Sequence, residues 1–336
     1  MKKAYFIVNH KKSNDQAVTN LYLQIIEKAL KKSGYQCSFE YNLSKINKSD
    51  LLVFDECKIA FKYLLKGYSN FFVWTQGIVP EEALLQGYSR LRYYIHSMIE
   101  YVVLKRAKLV FMVSNEMLFH YQNKYSLNLK EKTFIMPCFN EEGVDIASFK
   151  DKNKYRNNTF VYLGSLSKWQ CFEETLDIYK SIEKVHPDSK LYIFAEKIND
   201  AIKKIHDKKI KNFQVEFVSP KDLGEKIRNI KYGFVIRKDI EVNRVATPTK
   251  ISNYISHGII PIYSKCLTSF NDYNSEENIA ISFDLKKKKD SINKILQDMK
   301  KEILIDTIEK WSKETFATYY NENKYITQIL KKIREE

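Results

Sequence analysis

Apolar residues in this chain fall into two alternating patterns. Short continuous runs such as AYFIVN (Ala4–Asn9), DLLVFD (Asp50–Asp55) and NFFVWT (Asn70–Thr75) have the length of strands buried on both faces. Between the first two lies Asn14–Gly34, with Val18, Leu21, Tyr22, Ile25, Ile26 and Leu30 at the three- and four-residue spacing of one helical face. Gln36–Tyr41 predicts a strand, Gln86–Arg106 a long helix, Lys108–Ser114 a strand, then a helix to Tyr125 and a last strand at Thr133–Pro137. Strands alternating with helices predict a doubly wound parallel sheet.

A polar stretch, KDKNKYRNN (Lys150–Asn158), has the composition of a linker, and beyond it the alternation restarts. Strands are predicted at Thr159–Leu163, Lys190–Phe194, Gln214–Val218 and Tyr232–Ile236, with helices at Glu173–Val185, Asp200–Ile205 and Lys221–Ile230 between them. The expected fold is therefore α/β, two Rossmann-like domains whose edges face a cleft. The expected division is residues 1–152, residues 153–305 and a helical C-terminal segment, residues 306–336. Trp311, Phe316, Tyr319, Tyr320, Tyr325 and Ile329 give that segment too large an apolar set for a free tail. It packs either on the first domain or in a dimer.

Val242–Ser264 (VNRVATPTKISNYISHGIIPIYS) has the punctuation of loop, helix, turn and buried strand. Thr247 is positioned to cap a helix that Pro248 opens, Ile251, Tyr254 and Ile255 mark its apolar face, and Gly258 closes it. Lys250 in the first turn is out of place, because a cation there opposes the helix dipole by about 0.3–1 kcal/mol. Either it is a solvated lysine that tolerates this cost, or an anion such as a phosphate occupies the helix N-terminus. His257 at the other end reads most simply as a cap favoured by the dipole.

Composition narrows the classes. The 336 residues are 44% hydrophobic, enough for two cores, and the longest apolar runs are too short to span a bilayer. The N-terminal run ends at Asn-His-Lys-Lys without a small-residue cleavage site, so no secretion signal is expected. Five scattered cysteines and six histidines lack metal-binding spacings, which predicts reduced thiols and a cytoplasmic protein. Net charge is +15 with 23 tyrosines and 20 phenylalanines, a surface suited to nucleic acid, anionic lipid or an anionic small substrate. The cations are dispersed and no nucleic-acid-binding signature is present, so nucleic acid is not an expected partner.

Three stretches in chain order, FFVWTQGIVPEE, FVYLGSLSKWQCFEETLDIY and FVIRKDIEVNRVATPTKISNYISHGIIPIYS, resemble GT-B glycosyltransferases of family 4. The resemblance is to bacterial members that build capsule, O-antigen or other surface polysaccharides. It spans nearly the whole chain and is strongest from Phe160 to Ser264. It implies a nucleotide-sugar bound by the second domain, an acceptor bound by the first, and a last helix that crosses back to the first.

Gly164, Ser165 and Lys168 lie just after a strand, where backbone N–H groups and a lysine can hold a diphosphate. By resemblance Lys168 stands at a basic phosphate contact, whereas Ser165 replaces an arginine common in the family. Arg237 ends a strand at the carboxyl edge of the second sheet, the side on which such sheets bind ligands, and Lys250 is expected there too. Each cation alone reads as a surface charge; three on one rim point to a diphosphate, with Thr247, Pro248 and Thr249 beside it. Two glutamates with seven residues between them are usual in the family, and this chain has Val245 and Asn253 at the corresponding places. Asn243 or Arg244 is then the candidate for the first, and Asn253 is either a ribose contact or a polar helix-surface residue. Ser219, after the third strand, is placed to meet the base, although loop chemistry explains it as well.

In the first domain, Gln76 and Glu81 are candidates for acceptor hydroxyls, while Glu82 reads as a carboxylate favoured by a helix start. His10 follows the first strand, either near the acceptor or in a solvated turn. The expected activity is sugar transfer from a nucleotide-sugar, by default a UDP-sugar, to a glycan or lipid-linked acceptor. The resemblance implies retention of configuration and neither metal nor cofactor, and an anionic membrane surface is a candidate partner. The rivals are a GT-B nucleotide-sugar epimerase or phosphorylase-like enzyme and a partner subunit that has lost its donor site.

Overall fold

The structure, a computed structural model, describes residues 2–8, 17–39, 46–151, 153–275 and 279–335. The chain forms two compact units, Met1–Asn140 with Val245–Thr247 and Asn321–Glu336, and Glu141–Arg244 with Pro248–Tyr320.

Unit one is built from β1 (Lys2–Ile7), α1 (Ala17–Lys32), β2 (Tyr35–Phe39), β3 (Leu51–Phe54), α2 (Cys57–Leu65), β4 (Phe71–Thr75), α3 (Val79–Leu85), α4 (Arg90–Arg106), β5 (Leu109–Met112), α5 (Asn115–Tyr125) and β6 (Thr133–Ile135). Its six strands are parallel in the order β2-β1-β3-β4-β5-β6. The runs LLVF, FFVWT and LVFM are buried along their whole length, as helices on both faces of a parallel sheet require. Tyr22 of α1 stacks on Trp74 of β4 at 3.9 Å between ring centroids, and its hydroxyl donates to the carbonyl of Met136 at 2.9 Å. One side chain thus packs the core and satisfies a backbone acceptor at a sheet end.

Unit two contains β7 (Thr159–Leu163), α6 (Phe172–Val185), β8 (Lys190–Phe194), α7 (Ile198–Asp207), β9 (Phe213–Glu216), α8 (Leu223–Ile227), β10 (Tyr232–Val235), α9 (Glu241–Arg244), α10 (Lys250–Ser256), β11 (Ile260–Ser264), α11 (Thr268–Asn274), β12 (Ile281–Phe283), α12 (Lys288–Asp298) and α13 (Ile305–Thr318). Its parallel order is β12-β11-β10-β7-β8-β9, the dinucleotide-fold arrangement counted from the first strand of the unit.

The chain departs from the sequence expectations in four places. The long helix expected over Gln86–Arg106 is two elements: Gly87 at φ 85° ends α3, and Ser89 starts α4 by accepting the N–H of Arg92 at 3.3 Å. The expected linker is packed at its centre, where Lys154 and Tyr155 are buried. Lys154 Nζ donates to the carbonyl of His257, and the Tyr155 hydroxyl to that of Gly258 at 2.6 Å, so a polar composition here caps the end of α10.

Helix α10 begins at Lys250 rather than at Pro248, with Thr249 at the N-cap. Thr247 instead accepts the N–H of Cys138 at 2.9 Å, within unit one. The C-terminal segment divides between the units. Trp311 of α13 is buried in unit two, whereas α14 (Glu322–Glu335) packs in unit one, with Tyr325 edge-on to Phe134 and Glu322 2.5 Å from Lys28.

Candidate functional site

The strand order of unit two reverses between β7 and β10, and crossovers leaving in opposite directions open a crevice outside the carboxyl ends of those strands. Gly164 follows β7, and Arg237 lies just beyond β10. Gly164 adopts φ 121°, a conformation L side chains rarely take. A Cβ there would stand 2.8 Å from Lys250 Cε and 2.9 Å from Gln170 Oε1. Glycine is therefore required twice, by backbone angle and by the lysine that passes over it. The chain then makes a short 3-10 turn over Lys168–Gln170, and Cys171 at φ 52° leads into α6.

Arg237 is buried. Its backbone N–H donates to Ser264 Oγ at 2.7 Å, and its Nη1 donates to the carbonyls of Ile236 at 2.9 Å and Gln170 at 3.3 Å. Lys250 reaches the same place from the start of α10: its Nζ donates to Gln170 Oε1 and lies 5.4 Å from the ring centre of Tyr162. Burial, reinforced by the charge of Arg237, holds the Lys250 pKa well below its ordinary value. Burial also lowers that of Arg237, and the groups acting on it are phenols and thiols rather than carboxylates. Two cationic side chains thus meet around a neutral amide, an arrangement suited to an anion that restores the charge on Lys250. The contribution comes from the side chains, since α10 has only seven residues to build a dipole.

Lys168 is exposed at the rim, and Gln170, two residues on, takes the inward position. The sequence pattern missed Gln170 because a polar residue in a short turn carries no periodic signal. The N–H of Gly164 already donates to the carbonyl of Phe194 at 3.0 Å. Ser165 is exposed, with its Oγ 2.8 Å from that of Ser167. Ser219 donates to Asp222 Oδ2 at 2.7 Å, ordinary loop chemistry.

Asn243 is buried and ties the loop after β10 by donating to the carbonyl of Lys238 at 2.9 Å. Pro248 and Thr249 are half-buried, and the Thr249 carbonyl accepts from Ser252 Oγ at 2.8 Å. Asn253 is buried rather than on the helix surface, and its Nδ2 donates to Glu141 Oε1 at 3.1 Å. Burial, with Asp145 nearby, pushes the Glu141 carboxyl up to about 7. A carboxyl group from another segment thus stands beside Asn253. His257 is buried and its pKa is lowered by that burial, so it is not the cationic helix cap expected.

Unit one carries a cavity of about 490 Å³ at the carboxyl ends of β3 and β4. Asp55, Gln76 and Glu82 line it, with Arg92, His96 and Glu100 from α4. Trp74 Nε1 and Gln76 Nε2 are buried there without a hydrogen-bond partner among the described residues. The two adjacent glutamates point to different surroundings. Glu82 lines the cavity, whereas Glu81 is held by Lys124 at 2.7 Å and Tyr93 at 3.3 Å, with His120 3.6 Å away. Burial raises the Glu81 pKa, but the neighbouring His120 and the hydrogen-bonded Lys124 outweigh it and leave the pKa lowered. His10 lies outside the described residues.

No protein-family model matches the sequence, and no curated sequence is detectably similar. Solved structures are similar. Sucrose-phosphate synthase from Thermosynechococcus elongatus matches 99% of this chain over 99% of its own at TM-score 0.72 and 11% identity. WaaG, a glycosyltransferase involved in lipopolysaccharide biosynthesis, matches 97% over 99% of its own at 0.64 and 12%. TarM from S. aureus, in complex with UDP, fondaparinux and α-GlcNAc-glycerol, matches 86% at 0.65 and 10%, and this chain spans 57% of the TarM chain. With its two parallel six-stranded sheets, the chain has the GT-B fold.

Proposed function

We propose that this chain is a glycosyltransferase of the family 4 kind, moving a sugar from a nucleoside-diphosphate sugar to a glycan or lipid-linked glycan. The observation that carries the proposal is the meeting of Lys250 and Arg237 on Gln170 at the switch point of unit two. As the bond between the anomeric carbon and the diphosphate oxygen breaks, negative charge develops on the leaving group. Arg237 and a reprotonated Lys250 stabilise that charge in a site already shielded from water. Lys168 adds a weaker contact from the rim.

Asn253 and Glu141 supply polar groups for the ribose or the donor sugar, and the loop at Ser219 meets the base. The UDP bound by TarM supports uridine as the carrier. The acceptor hydroxyl bonds to the anomeric carbon on the face from which the diphosphate departs, so configuration is retained, and its proton passes to the departing diphosphate. The unit-one cavity takes the acceptor through Gln76 and Glu82. The setting we propose is bacterial surface-polysaccharide synthesis, in the cytoplasm and peripheral on the inner membrane face. Sugar transfer by Arg237→Ala and Lys250→Ala tests the reading. Each is expected to lose at least about a hundredfold in rate, and unchanged transfer in both would refute it.

A further inference from the structure

We propose that the α3–α4 hairpin of unit one is a docking surface for an anionic lipid bilayer. Eight of the fifteen exposed large apolar residues among those described lie between Val79 and Met98, and the others are scattered over both units. Helix α4 is apolar on two faces. Its inner face, with Val103 and Leu104, packs against α2 and α3.

Its outer face carries Leu91, Tyr94, Ile95 and Met98, at the i, i+3, i+4, i+7 spacing of a helical stripe of its own. Those four residues are 70%, 65%, 47% and 49% exposed. Leu84, Leu85 and Tyr88 extend the same kind of surface across α3 and the turn. Exposed apolar residues concentrated in one hairpin in this way mark an interaction site.

The charges around the stripe select its partner. The three acidic residues of the hairpin are withdrawn: Glu81 in its ion pair with Lys124, Glu82 at the cavity, Glu100 in the interior. Every exposed charge from 79 to 106 is a cation, namely Arg90, Arg92, Lys105 and Arg106. Arg92 also stands 3.7 Å over the ring of Tyr88. Apolar side chains at the centre, tyrosines with polar tips and a wholly cationic rim fit the headgroup boundary of an anionic membrane.

A symmetric second copy fits worse, because an isologous contact would bring these cations together. No helix among the described residues is long and apolar enough to cross a membrane, so the contact is interfacial. Arg92 and His96 line the unit-one cavity from this same helix, so a docked hairpin sets that cavity at headgroup level, where the sugar of a lipid-linked acceptor would lie. This inference deepens the acceptor part of the proposed function and rests on it.

Flotation of the full chain with phosphatidylcholine vesicles, with and without phosphatidylglycerol, tests the surface. The wild type is expected to float with the anionic vesicles only, and Leu91→Ser/Ile95→Ser to lose at least about tenfold in partitioning. A circular-dichroism melt of the double variant, expected to match that of wild type, shows that it is folded. Three results would overturn the surface: flotation with neither vesicle, equal flotation with both, or a variant that floats like wild type. So would a wild-type dimer that the variant disrupts without any change in flotation. Flotation as expected in a protein that binds no nucleotide would refute the donor reading and leave the surface standing.

Discussion

Lys250 and Arg237 share one partner: the lysine donates to the side-chain oxygen of Gln170, and the guanidinium donates to the backbone carbonyl of that residue at 3.3 Å. A neutral amide holds the two basic side chains in place without forming an ion pair with either. A carboxylate in that position would occupy the anion site permanently.

Gln170→Glu therefore should abolish the site while leaving the fold intact. The new carboxylate pairs with Lys250, and UDP affinity falls at least about thirtyfold, roughly 2 kcal/mol, as read by calorimetry. Lys168→Ala, at the exposed rim, costs less than about tenfold. A larger loss at Lys168 than at Gln170 would reverse the assignment of the inward residue.

Protonation of Lys250 should accompany binding. Its pKa is held down first by burial and then by Arg237, so above that depressed value the empty site carries a neutral amine. A diphosphate favours the ammonium and raises the pKa, so protons are taken up and affinity weakens as pH rises. Titrations at a series of pH values in buffers of different ionisation enthalpy measure this directly. Wild type shows uptake and Lys250→Met shows none; equal heats from wild type in all buffers would contradict the assignment.

Gly164→Ala places a methyl group at φ 121° against Lys250 Cε and Gln170 Oε1. Backbone strain alone costs about 1–3 kcal/mol, and the lysine must also move. A lower melting temperature together with lost UDP binding is expected. Wild-type affinity in a folded variant would show that the close approach is not needed.

Glu100 makes stability depend on pH. It is buried, and burial pushes its carboxyl from 4.5 to about 7, against the pull of Lys124 and a hydrogen bond from Tyr125. Because the folded value is the higher one, its stabilising contribution is complete below about 4.5 and is lost as pH rises through 7. Denaturant unfolding at about pH 5 and 8 should show wild type losing on the order of 2–3 kcal/mol relative to Glu100→Gln. Glu141 shifts in the same direction, so the difference between the two proteins is the quantity that isolates Glu100.

The alternation of apolar runs and helical stripes was enough to specify two parallel α/β units, because strands buried on both faces leave no polar register to misread. What escaped the sequence depended on contacts between distant segments. The composition of Lys150–Asn158 is that of a linker, yet Lys154 and Tyr155 close the end of α10. Glu81 and Glu82 are neighbours with the same chemistry, and only the positions of Lys124 and His120 decide which one faces the cavity. The outer stripe of α4 went unread because its inner and outer faces are both apolar, which blurs the polar contrast that reveals a helix. Arg237 and Lys250 were legible because each sits at a strand or helix end that the pattern could place. Gln170 was not, since its role comes from a short turn between them.

Calorimetric titration of the full chain with UDP, GDP, TDP and CMP, each with and without chelator, tests the donor site most directly. Selective binding of UDP that survives chelator and is lost in Arg237→Ala is expected. Failure of all four to bind would contradict it and leave a GT-B chain without a working donor site.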